Sequence, residues 1–424
     1  MNPDDALFRR ESARLLATLV PAFGVENLAL AEDVVQETLA RAFEAWSYNG
    51  VPAHAAALLT AAAKNRALDV FRRARVAQRF APDVQRFIES EWTLRPGLDA
   101  LFLPDALKDD ELRMMFSCCH PRLHEDVQVA LVLHMLCALG VDEIASAFLV
   151  SPAAIEKRLS RGKKTLAAAK RLFELTAEDF APRLTAVHRA LYLLFSEGYH
   201  SASSEGVVRI DLCREAMRLA HLLVEHATAA TPATHALAAL MWLDAARLPA
   251  RIGDDGNLRP LLTQDRSRWD AALIAEGIRL LGRSATGDQL TEYHVEAGIA
   301  AQHAMASTAE ATDWGEIVRL YDVLMKIRPS PVVALNRAMA LAEHEGPAHG
   351  LAALATIEDV QRLARYPFYP AAVAELELRC GRPAVAQTYF ERAKALARNE
   401  VERRLLDRRL EEAKNLSGAR VPGR

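Results

Sequence analysis

Four basic residues recur at helical spacing in the stretch SPAAIEKRLSRGKKTL, residues 151–166. A helix with 3.6 residues per turn collects them on one side and collects four apolar or small residues on the other. The basic set is Lys157, Arg158, Arg161 and Lys164, and the apolar set is Ile155, Leu159, Gly162 and Leu166. A cationic helix face of this kind is suited to contacts with the phosphates and base edges of nucleic acid.

The same stretch carries the signals that begin a helix. Ser151 is a favoured N-cap residue, and Pro152 suits the first helical position, where its missing N–H costs nothing. A short helical segment, DEIASAFL, precedes them, so the pair predicts a helix-turn-helix that reads DNA through its second helix. The DNA contacts that this pattern predicts are Lys157, Arg158, Arg161 and Lys164. Because packed helices with a basic face are common, this motif needs support from the rest of the chain.

A second concentration of basic residues lies between residues 64 and 86, where only Asp69 and Asp83 oppose it. Its members are Lys64, Arg66, Arg72, Arg73, Arg75, Arg79 and Arg86. Two basic faces on a chain with a net charge of -3 predict two separate contacts with one polyanion. The alternative for each is a solvated helix face with no ligand.

Composition predicts an all-α protein with more than one domain. The chain has 424 residues, more than a single core usually supports, and its apolar residues follow a helical period with no convincing strand. No run of 18 apolar residues occurs, and the start MNPDDALFRRESARLL does not resemble a signal peptide, so we expect a cytoplasmic protein with no membrane partner. Five irregularly spaced cysteines argue against a disulfide framework.

Changes in pattern along the chain divide it into four parts. Residues 1–80 and 108–175 are predicted to be helical domains, the second of which contains the helix-turn-helix. Residues 81–107, with Pro82, Pro96, Gly97 and Pro104, are predicted to be a linker. Residues 176–424 lack basic runs. Their stretch PFYPAAVAELELRCGRPAVAQTYFERAKALA has the spacing typical of a tetratricopeptide-like helix pair, which predicts stacked helical hairpins.

Three segments, taken together and in order, resemble the two promoter-binding domains of bacterial extracytoplasmic-function sigma factors. They are AEDVVQETLARAFEAW, AAAKNRALDVFRRAR and VDEIASAFLVSPAAIEKRLSRGKKTL. The phrases RMMFSCCHPRL, LYLLFSEGY, QDRSRWDAALI and PSPVVALNRAMA look like the subgroup that carries a C-terminal tetratricopeptide-like extension. The resemblance covers nearly the whole chain.

This resemblance implies a non-enzymatic specificity subunit of RNA polymerase, without a cofactor, whose partners are core RNA polymerase and promoter DNA. By the resemblance, residues 1–80 bind core polymerase and the minus-ten element, and residues 108–175 bind the minus-thirty-five element. The implied core-binding residues are Asp33, Gln36, Glu37 and Arg41. The implied minus-ten residues are Tyr48, Asn49, His54, Lys64, Asn65, Arg66, Arg72 and Arg73. The implied minus-thirty-five residues are Ser151, Ala153, Ala154, Lys157, Arg158, Arg161 and Lys164. The implied role of residues 176–424 is regulation through a protein or small-molecule partner.

The chain departs from the pattern of this family at three places. Leu58 occupies a position where most relatives have tryptophan, so aromatic support for strand melting would be weaker or would come from Phe71 or Tyr48. The helix before the turn lacks a hydroxyl cap, since LGVDE precedes it, and SEGY replaces NEGY in the tail.

Other chemistries fit the sequence less well. The run CCHPRLH and a later His134 and Cys137 contain metal-ligating types, but adjacent cysteines on a helix point about 100° apart, so core cysteines are favoured over a metal or redox site. SRGKKT resembles the end of a phosphate loop without the glycine that such a loop needs. Polar tail residues leave a ligand pocket open as an alternative to inter-helix hydrogen bonds. They are His188, Glu197, Asp211, His235, Asp265, Arg268, Trp269, His303 and Asp313.

Two functional hypotheses remain. The first is a sigma factor. The second is a helix-turn-helix regulator whose repeat tail senses a ligand or protein and which never joins the polymerase. The amino-terminal domain discriminates between them, because AEDVVQETLARAF joined to KNRALDVFRR has no role without core polymerase and a melted strand.

Overall fold

The computed structural model describes residues 3–24, 27–80, 104–148, 150–168, 177–199 and 208–418. These residues fall into two compact units. The first consists of Met1–Leu194 with Glu225–Ala229, and the second of Phe195–Val224 with Ala230–Arg424. Within the described ranges the secondary structure is helical, with one isolated β-bridge between Ile252 and Leu258 and no strand. The prediction of an all-α protein is therefore confirmed.

The first unit contains seven helices and most of an eighth in its described part. They are α1 (Pro3–Phe23), α2 (Leu28–Asn49), α3 (Ala55–Phe80), α4 (Pro104–Cys118), α5 (Glu125–Met135), α6 (Val141–Phe148), α7 (Pro152–Ala167) and α8 (Ala177–Tyr199), which runs on into the second unit. Helix α1 packs on α2, α3 and α4, and its apolar face is buried through Leu15 and Leu19. Helix α7 packs on α5 and α6.

Residues 81–103 of the predicted linker lie outside the described residues. Helix α4 begins at Pro104, inside the span predicted to be linker. The difference has a local cause, since proline breaks a helix in its interior but is favoured in its first turn, where no N–H is needed. The four domain boundaries otherwise stay predictions.

The second unit continues with eleven further helices in its described part. They are α9 (Ile210–Glu225), α10 (Pro232–Ala245), α11 (Leu248–Arg251), α12 (Ala271–Ser284), α13 (Glu292–Met305), α14 (Trp314–Ile327), α15 (Pro331–His344), α16 (Pro347–Ala355), α17 (Phe368–Arg379), α18 (Pro383–Ala395) and α19 (Glu400–Gly418). Helix α10 is apolar on nearly every side and is buried between α12 and α13.

From α14 onward each helix packs against the next one in sequence, which is the hairpin pattern expected of a tetratricopeptide-like array. Small residues permit the close approach of consecutive helices. A side chain at Gly350 of α16 would meet the Cβ of Ala342 and the carbonyl oxygen of Ala338 in α15.

None of the described helices is long and apolar enough to cross a membrane.

Candidate nucleic-acid interface

Helix α7 has the start and the buried face that its sequence predicts. Ser151 is the N-cap, with its hydroxyl oxygen accepting from the backbone N–H of Ala154 at 3.4 Å, and Pro152 is the first helical residue. The predicted apolar set is buried, as Ile155, Leu159, Gly162 and Leu166. The helix therefore packs on the rest of the protein through its apolar face and leaves the opposite face accessible to solvent.

Gly162 permits the close contact of α7 with α5. A Cβ at this position would lie 2.8 Å from Leu131 Cδ1 and 2.8 Å from Val127 Cγ1. These distances are shorter than any normal carbon contact, so a side chain here would force the two helices apart or displace buried neighbours.

Gly162→Ala is therefore expected to lower the free energy of unfolding by about 1 kcal/mol, because overpacking outweighs the higher helix propensity of alanine. Chemical denaturation of the two proteins would measure the change. Ser160→Ala, at an exposed site on the same helix, is the matched control and should not destabilise the chain. An unchanged midpoint for Gly162→Ala would mean that α7 does not pack this closely on α5.

The exposed face of α7 carries most of the predicted DNA contacts. Ser151, Ala153, Lys157, Arg161 and Lys164 are exposed, and Ala154 and Arg158 are half-buried. The fully exposed cations stand where a nucleic-acid backbone could reach them without prior rearrangement.

Arg158 is a member of this set whose side chain contacts other side chains of the protein. Its Nη2 lies 3.6 Å from Asp126 Oδ2, and its Cζ lies 5.5 Å from the ring centroid of Phe148. Its Nη1 is buried without a hydrogen-bond partner. The guanidinium is thus oriented by α5 and α6, and part of its charge is neutralised before any ligand arrives.

Helix α6 begins without a hydroxyl N-cap, and its start is hydrogen-bonded by the carboxylate of Glu143 instead. Glu143 Oε2 accepts from the backbone N–H of Gly140 at 2.8 Å, which is the reciprocal half of a capping box. The same carboxylate accepts from Arg9 Nη1 at 2.9 Å and 3.2 Å. Although the hydroxyl cap of the family pattern is absent, Glu143 therefore hydrogen-bonds the start of α6 and connects it to α1.

The predicted polymerase-binding face lies on α2. Asp33, Gln36 and Arg41 are exposed, and Glu37 is half-buried. Glu37 Oε1 accepts from Arg41 at 2.7 Å, and Glu37 Oε2 lies 2.5 Å from Arg66 Nη2. One carboxylate therefore joins a predicted core-binding residue to a predicted minus-ten residue on α3.

The predicted minus-ten residues are mainly exposed and lie at the end of α2, in the α2–α3 connection and along α3. Tyr48, His54, Asn65, Arg72 and Arg73 are exposed, Lys64 and Arg66 are half-buried, and the side chain of Asn49 lies outside the described residues. Tyr48 is 91% exposed and Leu58 is 51% exposed. An apolar ring presented to solvent at a loop is suited to stacking on an unpaired base.

Lys163 points away from the exposed face of α7 and toward α2. Its Nζ lies 2.5 Å from Glu32 Oε1 and 3.3 Å from His134 Nε2. Burial, together with the positive charge of Lys163, lowers the pKa of His134. Glu32 is the neighbour of Asp33, so α7 is anchored next to the predicted polymerase-binding face.

The CCHPRLH run forms part of the core of the first unit, as the preferred interpretation predicted. Cys118 and Cys119 are buried, and Cys118 Sγ lies 3.8 Å from Met135 Sδ. Burial raises the pKa of Cys118 to about 12 and also raises that of Cys119. Both groups therefore remain thiols at neutral pH, a form that neither attacks disulfides nor binds metals well.

The polar tail residues do not share one role. Asp313 caps α14 by accepting from the backbone N–H of Glu316 at 2.9 Å, and Asp265 accepts from that of Ser267 at 3.0 Å. His235 Nδ1 lies 2.8 Å from the carbonyl oxygen of Thr231. Trp269 and His303, by contrast, come together through a residue that the sequence analysis did not single out, Arg266.

Comparison with known proteins places these faces in a family. Residues 8–76 match the model "Sigma-70 region 2", and residues 113–166 match "Sigma-70, region 4". The chain belongs to the extracytoplasmic-function sigma factors. In the sigma factor, the first match covers most of α1 to α3, and the second covers the end of α4 together with α5 to α7. The region 2 match decides against the hypothesis of a regulator that never joins the polymerase.

The rest of the sigma factor is an additional C-terminal domain. Residues 183–285 match "Family of unknown function (DUF6596)". An uncharacterized protein of Rhizobium meliloti (strain 1021) is 39% identical over 380 residues, covering 89% of this chain and 88% of the relative. The likeness therefore extends through the tail as well as through regions 2 and 4. No solved structure matches the chain.

The family defines the activity. A sigma factor with regions 2 and 4 binds core RNA polymerase and promoter DNA and directs promoter-specific initiation of transcription. Factors of this family are not enzymes.

Proposed function

We propose that the sigma factor binds core polymerase through the exposed side of α2, engages the minus-ten element with the α2–α3 connection and α3, and reads the minus-thirty-five element with α7. The observation that carries the proposal is the division of α7 into a buried apolar face and an exposed basic one. A helix with this division can enter the major groove as a rigid body, since its packing does not depend on the groove-facing residues.

The residues of α2 and α3 support a joint role in the proposal. Glu37 contacts Arg66 and Arg41, so the polymerase-facing and DNA-facing sides share a carboxylate. Binding of core polymerase at α2 would affect the orientation of the Arg66 side chain, because Arg66 is paired with Glu37 on α2. We propose that Glu37 orients Arg66 for the melted strand.

We propose further that the C-terminal unit regulates transcription through protein or small-molecule contacts and does not bind promoter DNA. Many of its basic residues are held in ion pairs of the unit itself, among them Arg279 with Glu276, Arg319 with Glu316, and Lys394 with Asp407, each at 2.5 Å. A surface neutralised in this way has little attraction for phosphates. Stacked helical hairpins commonly present concave surfaces to partners.

The test of tail function is a truncated chain that ends at Leu194, where the continuous part of the first unit ends. A cut near residue 175 would uncover core, because Phe180 lies 4.5 Å from Phe116 between ring centroids, and Arg183 Nη1 donates to the Phe116 carbonyl oxygen at 3.2 Å. Promoter-specific transcription with core polymerase should differ between the truncated and full-length chains by at least about fivefold, the usual size of coupling between domains.

Two controls make this comparison interpretable. The truncated chain should bind core polymerase as the full chain does, so that a change in transcription is not a change in the amount of folded factor. The separate C-terminal unit, added in trans, should move the activity of the truncated chain toward that of the full chain. Equal transcription on all promoters, with no effect in trans, would contradict a regulatory role.

A further inference from the structure

A loop of the C-terminal unit is fixed beside the end of α10. The backbone N–H of Asp270 donates to the carbonyl oxygen of Ala246 at 2.9 Å, and Trp269, the preceding residue, is 6% exposed. Arg247 directly follows Ala246. Residues 266–270 therefore lie close to the arginine that follows α10.

Arg266 holds this loop against the end of α13 through uncharged groups. Its Nη1 donates to the carbonyl oxygens of His303 at 2.7 Å and Ala306 at 2.6 Å, and its Nη2 donates to Thr312 Oγ1 at 3.0 Å. Its Cζ lies 4.8 Å from the ring centroid of Trp269. Each acceptor of this guanidinium among the described residues is neutral.

Arginine side chains are concentrated in this cluster. Arg247 pairs with Asp244, and Arg251 stands 4.1 Å over the ring of Tyr199, which Arg247 also approaches. The carboxylate of Glu310, which is exposed, also attracts Arg266. Partly buried cations are costly unless an anion compensates them, and Asp244 is the carboxylate that contacts Arg247 directly.

Three donor or acceptor atoms of the cluster are buried without a hydrogen-bond partner. They are Trp269 Nε1, His303 Nδ1 and Arg247 Nε. His303 is 7% exposed, and burial together with the charges of Arg247 and Arg266 lowers its pKa to about 3. His303 is therefore neutral and can offer one N–H. Buried polar groups in folded proteins are normally satisfied, so several unpartnered ones within one cluster make it a candidate to hold a bound group.

We propose that Arg247, Arg266, Trp269 and His303 bind the oxyanion group of a small molecule, a phosphate or a carboxylate. The oxyanion would accept from Trp269 Nε1 and Arg247 Nε, would accept from His303 in its Nδ1–H tautomer, and would place a negative charge beside Arg247 and Arg266. Trp269 and His303 are more than nine-tenths buried, which favours a small molecule over the backbone of a nucleic acid. The site is independent of whether the tail regulates transcription.

The competing explanation is a structural cluster in which Arg266 caps α13 and the unpartnered atoms have no ligand. Trp269→Phe separates the two explanations, because it keeps an aromatic ring under Arg266 and removes only the N–H donor and part of the ring area. Without a ligand, the substitution should leave anion binding unchanged, whatever the lost ring area costs in stability. With a ligand, it should weaken oxyanion binding at least about tenfold.

The experiment is equilibrium dialysis of the full chain against radiolabelled phosphate and, separately, labelled acetate, with sodium chloride holding the ionic strength constant. We expect saturable binding of one of the two anions below about 10 mM, and a loss of that binding in Trp269→Phe. Saturation by phosphate identifies a phosphorylated ligand, and saturation by acetate alone identifies a carboxylate.

Two control variants exclude other sources of binding. Trp314→Phe removes an indole whose ring centroid lies 5.3 Å from that of His303. We expect this variant to bind the anion as the parent does. Arg161→Ala reports anions held by the basic face of α7 and should likewise retain the saturable site. Equal binding by the parent and Trp269→Phe, or no saturable binding of either anion by the parent, would overturn the proposal.

Discussion

Asp33→Lys is expected to weaken binding of the sigma factor to core RNA polymerase by about 100-fold, since a reversed charge in a complementary interface costs several kcal/mol. Asp33 is exposed on α2 and forms no ion pair within the described part of the chain. The substitution should therefore leave the thermal midpoint unchanged. Co-purification with core polymerase and a titration of labelled factor would measure the loss.

Glu44→Lys is the matched control for this experiment. Glu44 is exposed on the same helix and lies outside the proposed polymerase-binding set, and its substitution makes the same change in net charge. We expect it to retain at least most of the affinity of the parent for core polymerase. If Asp33→Lys and Glu44→Lys behave alike, long-range charge rather than a contact at Asp33 determines binding.

Glu37 is a poorer position for this test, although the sequence analysis grouped it with Asp33. Its two carboxylate oxygens contact Arg41 and Arg66. A reversed charge at Glu37 would release Arg66 as well as alter the polymerase-facing side. A loss of transcription in such a variant could not be assigned to either contact.

The helix faces could be predicted from the sequence because their period is local. Ile155 and Leu159 are four residues apart, so the helix itself places them on one side whatever it packs against. Ser151 and Pro152 likewise act within one turn of their own positions. The pairs Glu37 with Arg66 and Glu32 with Lys163 join residues 29 and 131 positions apart, and nothing in the spacing of charges specifies such partners.

The tail shows the same limit from another side. Trp269 and His303 stood out because of their residue types, but Arg266 and Arg247 did not, since arginines are frequent in this chain. Arg266 is distinguished by its hydrogen bonds to carbonyl oxygens at a helix end. A backbone acceptor cannot be recognised from the sequence, because every residue has a carbonyl group. Asp265 and Asp313, which were candidates for a pocket, instead cap helical turns.

Simultaneous replacement of Lys157 and Arg161 by alanine is expected to weaken binding to upstream promoter DNA by roughly 10- to 100-fold at physiological salt. The two residues are one turn apart on the exposed face of α7. Each lost phosphate contact lowers the slope of log affinity against log salt by about 0.9, so the double variant should lose nearly 2. Footprinting of the minus-thirty-five element with holoenzyme at several salt concentrations would measure both quantities.

Arg158→Ala is the informative comparison on the same helix. Because Asp126 already neutralises part of its charge, we expect a slope change smaller than that of one exposed cation. Its contact over Phe148 should make this variant less stable by about 0.5–1 kcal/mol, a cost that Lys157 and Arg161 do not carry. If the Lys157 and Arg161 variant protects the upstream element with the parent's salt slope, the exposed face of α7 does not lie in the groove and another element must read this part of the promoter.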